Sequence, residues 1–233
     1  SDLFSKIGCR DARDKYSHLK MVMAVGVVMG LHAAYEVFVG GTVINLDIIL
    51  TYLPVSILYI LSMAMGYVGL RYIELSISSP ICNASGALVA IIAIVSGTAG
   101  KMAIAQYIAI FLACAGVIGL GFVEANEDDG LRAARQEASN YKYAKSWLAL
   151  CLPVAYCLLD AILDAAGTFA DDLVLETLNE DSANVAYELT FLVAGIASFI
   201  YTVIIKKQKL LPKVEGPKYI GAAFETAGQL AYI

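Results

Sequence analysis

The stretch RYIELSISSPICNASGALVA, Arg71 to Ala90, decides how this chain folds, because it lies where two long uncharged runs meet. Residues 48–70 before it and residues 75–100 after Glu74 carry no charge. Each run exceeds the ~20 apolar residues that take an α-helix across a bilayer. Arg71 and Glu74 leave room only for a tight turn, so the stretch predicts two membrane-spanning helices joined at this point.

The composition of the whole chain agrees with this interpretation. Apolar residues make up 59% of the 233 residues and charged residues only 16%, whereas a soluble domain carries about a quarter charged residues. No run of about ten residues alternates as the strands of a membrane barrel do. We therefore predict an all-α integral membrane protein.

Seven hydrophobic segments are expected to span the membrane. The last one reaches the end of the sequence without a cap or basic stop, so the sequence is expected to stop inside a helix or to be a fragment. The segments are 18–41, 46–72, 75–97, 102–123, 146–167, 184–205 and 217–233.

Basic residues predict the orientation of these spans. All of the 16 lysines and arginines except Lys101 lie in alternate loops or in the segment before the first span. One of the opposite loops, FADDLVLETLNEDSAN, is purely acidic. Because lysine and arginine collect on the cytoplasmic side, the basic loops are predicted to be cytoplasmic and the chain to lie in the cell membrane as a multi-pass protein.

The two halves of the chain share a weak internal similarity. The polar segment 124–145 divides a first repeat, residues 1–123, from a second, residues 146–233. DLFSKIG at the start resembles DAILDAA from Asp160, and MGYVGL from Met65 resembles AGQLAY from Ala227. An odd number of spans per repeat gives the repeats opposite orientations, an arrangement typical of transporters with a substrate site near the midplane.

The segment LRYIELSISSPICNASGALVAIIAIV resembles the third-to-fourth helix region of EamA-type drug/metabolite transporters. That family shows an Arg-aromatic step, a Ser/Ala-rich turn and a proline that opens the next helix. The resemblance implies a fold of five plus five helices in inverted repeats, of which this chain would hold the end of helix 1, helices 2 to 7 and part of helix 8. It also implies alternating-access transport of a small polar or amphipathic metabolite, without covalent chemistry and often coupled to an ion.

Two other classes of protein remain open at this point. Seven spans are also the number in a seven-helix receptor, although the turn at Arg71 is short and no extracellular cysteine pair is evident. Asp160 and Asp164 with Asp171 and Asp172 faintly resemble the metal-binding acids of an intramembrane prenyl transferase, but the asparagine-led spacing is missing. We therefore expect a secondary transporter and no enzymatic activity.

Acids inside apolar segments are the first candidates for a binding site, because a charge in the bilayer core must be paired, neutral or hydrated. Asp160 lies about 20 Å along its helix from Trp147 at 1.5 Å per residue, which predicts a position beyond the midplane, towards the outer face. Its proposed counterpart Asp2 is expected near the inner face. The alternative for Asp160 and Asp164 is hydration near the outside or a helix-packing role.

Three further acids lie within apolar segments or at their ends. His32 and Glu36 lie one helical turn apart, and histidine titrates near neutral pH, so the pair is a candidate for proton or ion coupling. Glu188 opens the sixth segment, where the helix dipole favours an acid, so a structural role is expected for it. Glu225 lies about 10 Å inside the last segment, and Gln229 lies one turn deeper; both are binding candidates.

The second and third spans supply the remaining candidates. Tyr59 and Met63 belong to a helical stripe that lines the cavity in the resembled family, although packing is the alternative. Pro80 frees a backbone carbonyl, so Ser79 and Pro80 are candidates for a gate or hinge, with a close helix contact as the alternative. The predicted substrate-binding residues are Tyr59, Met63, Asn83, Tyr156, Asp160, Glu225 and Gln229.

The expected partners follow from this assignment. They are a small-molecule substrate, the lipid bilayer and a coupling ion, and a homodimer is compatible with the sequence. No cofactor, no metal and no nucleic acid is expected.

Overall fold

The computed structural model describes residues 2–9, 14–72, 75–82, 84–97, 103–126, 128, 130–131, 133–134 and 147–232. That part of the chain is helical and contains no strand. Two of the helices, Ser17–Tyr35 and Glu180–Phe199, continue into π-helical segments at Glu36–Gly40 and Ile200–Ile205. The helices are α1 (Asp2–Cys9), α2 (Ser17–Tyr35), α3 (Leu46–Tyr72), α4 (Leu75–Cys82), α5 (Ser85–Ser96), α6 (Ile104–Ala125), α7 (Trp147–Leu175), α8 (Glu180–Phe199) and α9 (Pro212–Tyr232).

Several of these helices are long and apolar enough to cross a membrane. Among the described residues, four stretches meet that criterion by length and composition: Ser17–Gly40, Leu46–Arg71, Ser78–Ser96 and Glu180–Ile205. The apolar part of α6, Ile104–Leu120, is shorter. The structure is therefore compatible with a multi-pass membrane protein, and the expected total of seven spans stays a prediction.

The distribution of polar and apolar side chains also fits a lipid environment. Phe38 and Phe111 on the outer surface are 85% and 70% exposed. Asp160 is only 8% exposed and Glu188 is fully buried. Carboxylates are almost never fully buried in soluble proteins unless they are paired, whereas in membrane proteins they face the interior of the helix bundle.

The helix bundle is built around two closely packed pairs, α2 with α8 and α3 with α7. Helix α9 covers α2 and α1, and α8 also packs against α3. The pair α2–α8 crosses at two glycines: a Cβ atom on Gly26 would lie 2.7 Å from the carbonyl oxygen of Phe191 and 2.9 Å from the Cα atom of Gly195. Small residues are needed there because the two backbones approach directly.

In the first half of the chain, the observed helix bounds agree with the first, second and fourth predicted segments and differ from the third. Helix α3 covers the predicted second segment, residues 46–72. The predicted third segment is broken into α4 and α5, with Ala84 in the turn between them. Pro80 lies inside α4 and is exposed.

Helices α7, α8 and α9 each differ from the predicted segment at one end, and α8 begins at Glu180 rather than at residue 184. Helix α7 continues to Leu175, beyond the predicted end at residue 167, and its added turns include Asp171, which accepts a hydrogen bond from Tyr52 on α3. Helix α9 begins at Pro212, and Pro217 lies inside it. Proline suits the first helical position, since its missing N–H is unused there and its φ is already helical. Most of the predicted linker, residues 124–145, lies outside the described residues.

A buried ion network ties α2 to α9 at one end of the bundle, called here the basic end because the basic segments lie there. Glu215 on α9 contacts the ammonium of Lys218 at 2.6 Å and that of Lys20 at 3.3 Å. Lys20 also contacts Asp14 at 2.8 Å. The opposite end, near the acidic segment that follows α7, is called the acidic end.

Candidate functional site

A cavity of about 150 Å³ lies inside the bundle, in the half nearer the basic end. Helices α1, α3, α4, α5, α7 and α9 all contribute to its wall. Ser62 and Gly66 of α3 lie about 15 Å and 9 Å from Tyr72 at 1.5 Å per residue. Four carboxylates line the cavity: Asp2, Asp160, Asp164 and Glu225.

Asp160 is fixed in the wall by α3. Its carboxylate accepts a hydrogen bond from the hydroxyl of Ser62 at 2.8 Å. A Cβ atom on Gly66 would lie 3.1 Å from the carboxylate atoms, closer than nearly all real contacts, so the glycine makes room for the acid. Ser62 and Gly66 are one helical turn apart and therefore share the face of α3 that meets α7.

Asp2 lines the same cavity from α1. Its carboxylate accepts a hydrogen bond from the hydroxyl of Ser79 on α4. The sequence placed Asp2 and Asp160 towards opposite faces of the membrane. The structure instead brings them to one cavity, because Asp160 lies opposite Ser62 in the half of α3 that is nearer the basic end.

Two buried hydroxyl groups in the cavity wall have no hydrogen-bond partner among the described residues. They belong to Tyr67 on α3 and Ser5 on α1, and these residues are only 5% and 1% exposed. A buried hydroxyl without a partner costs roughly 1–3 kcal/mol. The cost disappears if a solute or ordered water in the cavity bonds to these oxygens.

Four of the predicted residues are brought together at this cavity. They are Met63 on α3, Ser79 on α4, Asp160 on α7 and Glu225 on α9. The predicted gate residue Pro80 is exposed and does not line the cavity.

The other predicted substrate-binding residues are not part of the described wall. Tyr156 and Gln229 are half-buried on α7 and α9, outside the cavity. Asn83 lies outside the described residues. Tyr59 lies closer to the acidic end, where its hydroxyl donates to Thr168 at 3.2 Å.

Tyr59 belongs to a layer of tyrosines next to the cavity. Its ring packs edge-on against that of Tyr187, 5.7 Å away between centroids. The Tyr187 hydroxyl lies 3.2 Å from the sulfur of Met63, which lines the cavity. Tyr52, further towards the acidic end, donates to Asp171 at 2.6 Å. The layer therefore lies between the cavity and the acidic end.

The predicted pair of His32 and Glu36 lies on a separate part of the molecule. The Nδ1 atom of His32 is 2.9 Å and 3.0 Å from the two carboxylate oxygens of Glu188 on α8. Its contact with Glu36 is longer, 3.6 Å from Nε2. Helix α8 begins at Glu180, so Glu188 is in the third turn rather than the first, and its partner is the histidine rather than the helix dipole.

The acids that suggested a prenyl transferase are divided between two places. Asp160 and Asp164 line the cavity, whereas Asp171 is bonded to Tyr52 in the tyrosine layer. No group of three or more His, Cys, Asp or Glu residues within the described part of the chain is arranged to hold a metal ion.

Several wall residues were missed by sequence reasoning. Ser5, Ser62 and Cys82 carry small polar groups that no motif singles out. The spacing of Ser62 and Gly66 was the available signal, since two small residues one turn apart favour close contact between membrane helices.

Comparison with known proteins adds no assignment. No family model, no curated protein and no solved structure matches this chain.

Proposed function

We propose that this protein is a secondary transporter that moves a small polar or amphipathic metabolite across a membrane by alternating access. The observation that carries the proposal is the cavity between the two halves of the chain. The first half contributes Asp2 and Met63, and the second half contributes Asp160 and Glu225. Acids inside a membrane bundle commonly mark solute or ion pathways.

The packing of the helices supports two repeats of opposite orientation. If α1, α2 and α3 correspond to α7, α8 and α9, then the contact of α3 with α7 corresponds to that of α9 with α1. The contact of α3 with α8 corresponds in the same way to that of α9 with α2, and α2 with α8 corresponds to itself. In the proposed arrangement, a two-fold axis through the crossing of α2 and α8 would relate these contacts.

The helix ends support the same correspondence. Cys9 ends α1 and Leu175 ends α7, and this separation along the chain equals that between Leu46 and Pro212, which begin α3 and α9. The same separation pairs Tyr59 with Glu225. It pairs Asp2 with Thr168 rather than with Asp160, so the helix ends favour a different register from the short sequence matches.

Transport is tested with the purified full chain. A thermal-shift screen against small amines, carboxylates, amino acids and polyols identifies compounds that bind, because a ligand of the folded state raises the melting point. Each compound that binds is then tested for counterflow in proteoliposomes. Saturable counterflow that Asp160→Asn abolishes supports the proposal, with Glu176→Gln, an exposed acid on the loop after α7, as the matched control.

Two results would refute it. Compounds that bind but never cross the membrane would favour the receptor alternative. Counterflow that is unchanged in Asp160→Asn would remove the cavity as the transport site.

A further inference from the structure

The chemistry of the cavity wall also points to the class of solute, on the assumption that the proposed transport function holds. Its four carboxylates come from three helices: Asp2 from α1, Asp160 and Asp164 from α7, and Glu225 from α9. No lysine, arginine or histidine is part of the described wall.

An anionic solute would be repelled here. Two like charges 4 Å apart repel by about 4 kcal/mol at the effective dielectric near a protein surface. A zwitterion would meet the same repulsion at its carboxylate end. Asp160 and Asp164, one helical turn apart on α7, also raise the cost of ionising each other, and a bound positive charge relieves that cost.

A metal ion fits the wall less well than an organic cation. No arrangement of three or more metal-binding side chains is found in the described part of the chain. An ammonium group needs acceptors in several directions for its three N–H donors. The carboxylates and the buried hydroxyls of Tyr67 and Ser5, which lack partners among the described residues, provide such acceptors.

The remaining wall suits a short hydrocarbon group. Met63, Leu70 and Cys82 supply apolar and sulfur surface beside the acids. A cavity of about 150 Å³ is the size that accommodates benzene in an engineered protein core, that is, roughly six non-hydrogen atoms.

We propose that this cavity binds a small organic monocation, a protonated primary amine on a compact hydrocarbon group. Asp160 binds the ammonium, the hydroxyls of Tyr67 and Ser5 accept its other hydrogens, and the hydrocarbon group lies against Met63 and Leu70. Gly66 leaves the space that the ammonium occupies beside Asp160.

The test uses probes that share one shape and differ in charge: cyclohexylammonium, cyclohexanol and cyclohexanecarboxylate. Binding to the purified full chain is measured by thermal shift and by isothermal titration calorimetry at neutral pH. Cyclohexylammonium is expected to bind at least tenfold more tightly than the other two. Dicyclohexylammonium, which carries a second ring, is expected to bind more weakly than cyclohexylammonium.

Two variants locate the binding. Asp160→Asn keeps the size of the side chain and is expected to weaken cyclohexylammonium binding at least tenfold. Gly66→Ala is expected to weaken it several-fold, because its methyl group would lie 3.1 Å from the Asp160 carboxylate. Gly116→Ala is the matched control, since a Cβ atom there meets nothing within 4 Å.

The outcomes separate this inference from the transport proposal. The cation assignment is overturned if cyclohexanol or cyclohexanecarboxylate binds more tightly than cyclohexylammonium, or if no probe binds. It is also overturned if Asp160→Asn and Gly66→Ala both leave cyclohexylammonium binding unchanged. If an anion or a neutral solute is transported, the transport proposal is supported and the cation assignment is refuted. If cyclohexylammonium binds but does not cross the membrane, the cation assignment is supported and the transport proposal is refuted.

Discussion

Replacement of Gly26 by alanine tests the crossing of α2 and α8. The added methyl group would lie 2.7 Å from the Phe191 carbonyl oxygen and 2.9 Å from the Gly195 Cα atom. Both are backbone atoms, so neither can turn aside as a flexible side chain would. Overpacking of this kind costs about 1–3 kcal/mol, and the better helix propensity of alanine returns at most about 1 kcal/mol. We expect a net loss of about 1–2 kcal/mol.

Gly195→Ala should be milder. Its Cβ atom would lie 3.1 Å from the Gly26 Cα atom, and the next contact, with the Val22 carbonyl oxygen, is 3.4 Å. A shift of a few tenths of an ångström relieves these contacts, so a loss below about 1 kcal/mol is expected.

The measurement is reversible unfolding of the purified protein in mixed micelles as the fraction of SDS rises, followed by circular dichroism or fluorescence. Gly116→Ala, on the open surface of α6, is the control and should unfold at or slightly above the SDS fraction of the parent protein. The expected order of stability is Gly116→Ala, then Gly195→Ala, then Gly26→Ala. Equal midpoints for Gly26→Ala and Gly116→Ala would refute the close approach of the two backbones.

Three further substitutions probe polar contacts away from the crossing, each measured by the same unfolding assay. His32→Ala leaves the fully buried Glu188 without its imidazole partner and should cost about 1–3 kcal/mol. Glu215→Gln places a neutral amide next to the buried ammonium of Lys218. Breaking the buried ion pair in this way should lower the free energy of unfolding by about 3 kcal/mol. Tyr59→Phe loses its hydrogen bond to α7 but keeps its ring, and should cost about 0.5–1.5 kcal/mol.

Controls for these substitutions are present in the chain. His18→Ala removes a half-buried histidine whose Nδ1 atom has no hydrogen-bond partner among the described residues, so it should be tolerated better than His32→Ala. Glu176→Gln removes an exposed carboxylate and should leave the midpoint unchanged. A loss for Glu215→Gln no larger than that for Glu176→Gln would contradict the buried ion network.

Local sequence patterns predicted the helices well where hydropathy and charge change abruptly. Helix α3 begins and ends with the predicted second segment, because Asn45 precedes its start and Arg71 marks its end. The break between α4 and α5 was missed, since residues 75–97 read as one apolar run and a turn at Ala84 adds no charge.

Local sequence patterns do not predict contacts between residues that are distant along the chain. His32 was paired with Glu36, its neighbour one turn away, yet its shorter contact is with Glu188 on another helix. Asp160 was singled out because an acid in an apolar segment is costly, and it does line the cavity. Its partner Ser62 was not predicted, because which helix faces α7 depends on tertiary packing.

The contact between Gly26 and Gly195 restricts how α2 and α8 can move past each other. Sliding along the helix axis would bring Val22 or Met23, which share the face of Gly26, onto the facing main chain, where only hydrogen atoms now fit. Swivelling about the glycines meets no such obstacle, since nothing protrudes at that point. The glycine contact therefore acts as a pivot: α2 and α8 can change their crossing angle while the position of the crossing stays fixed.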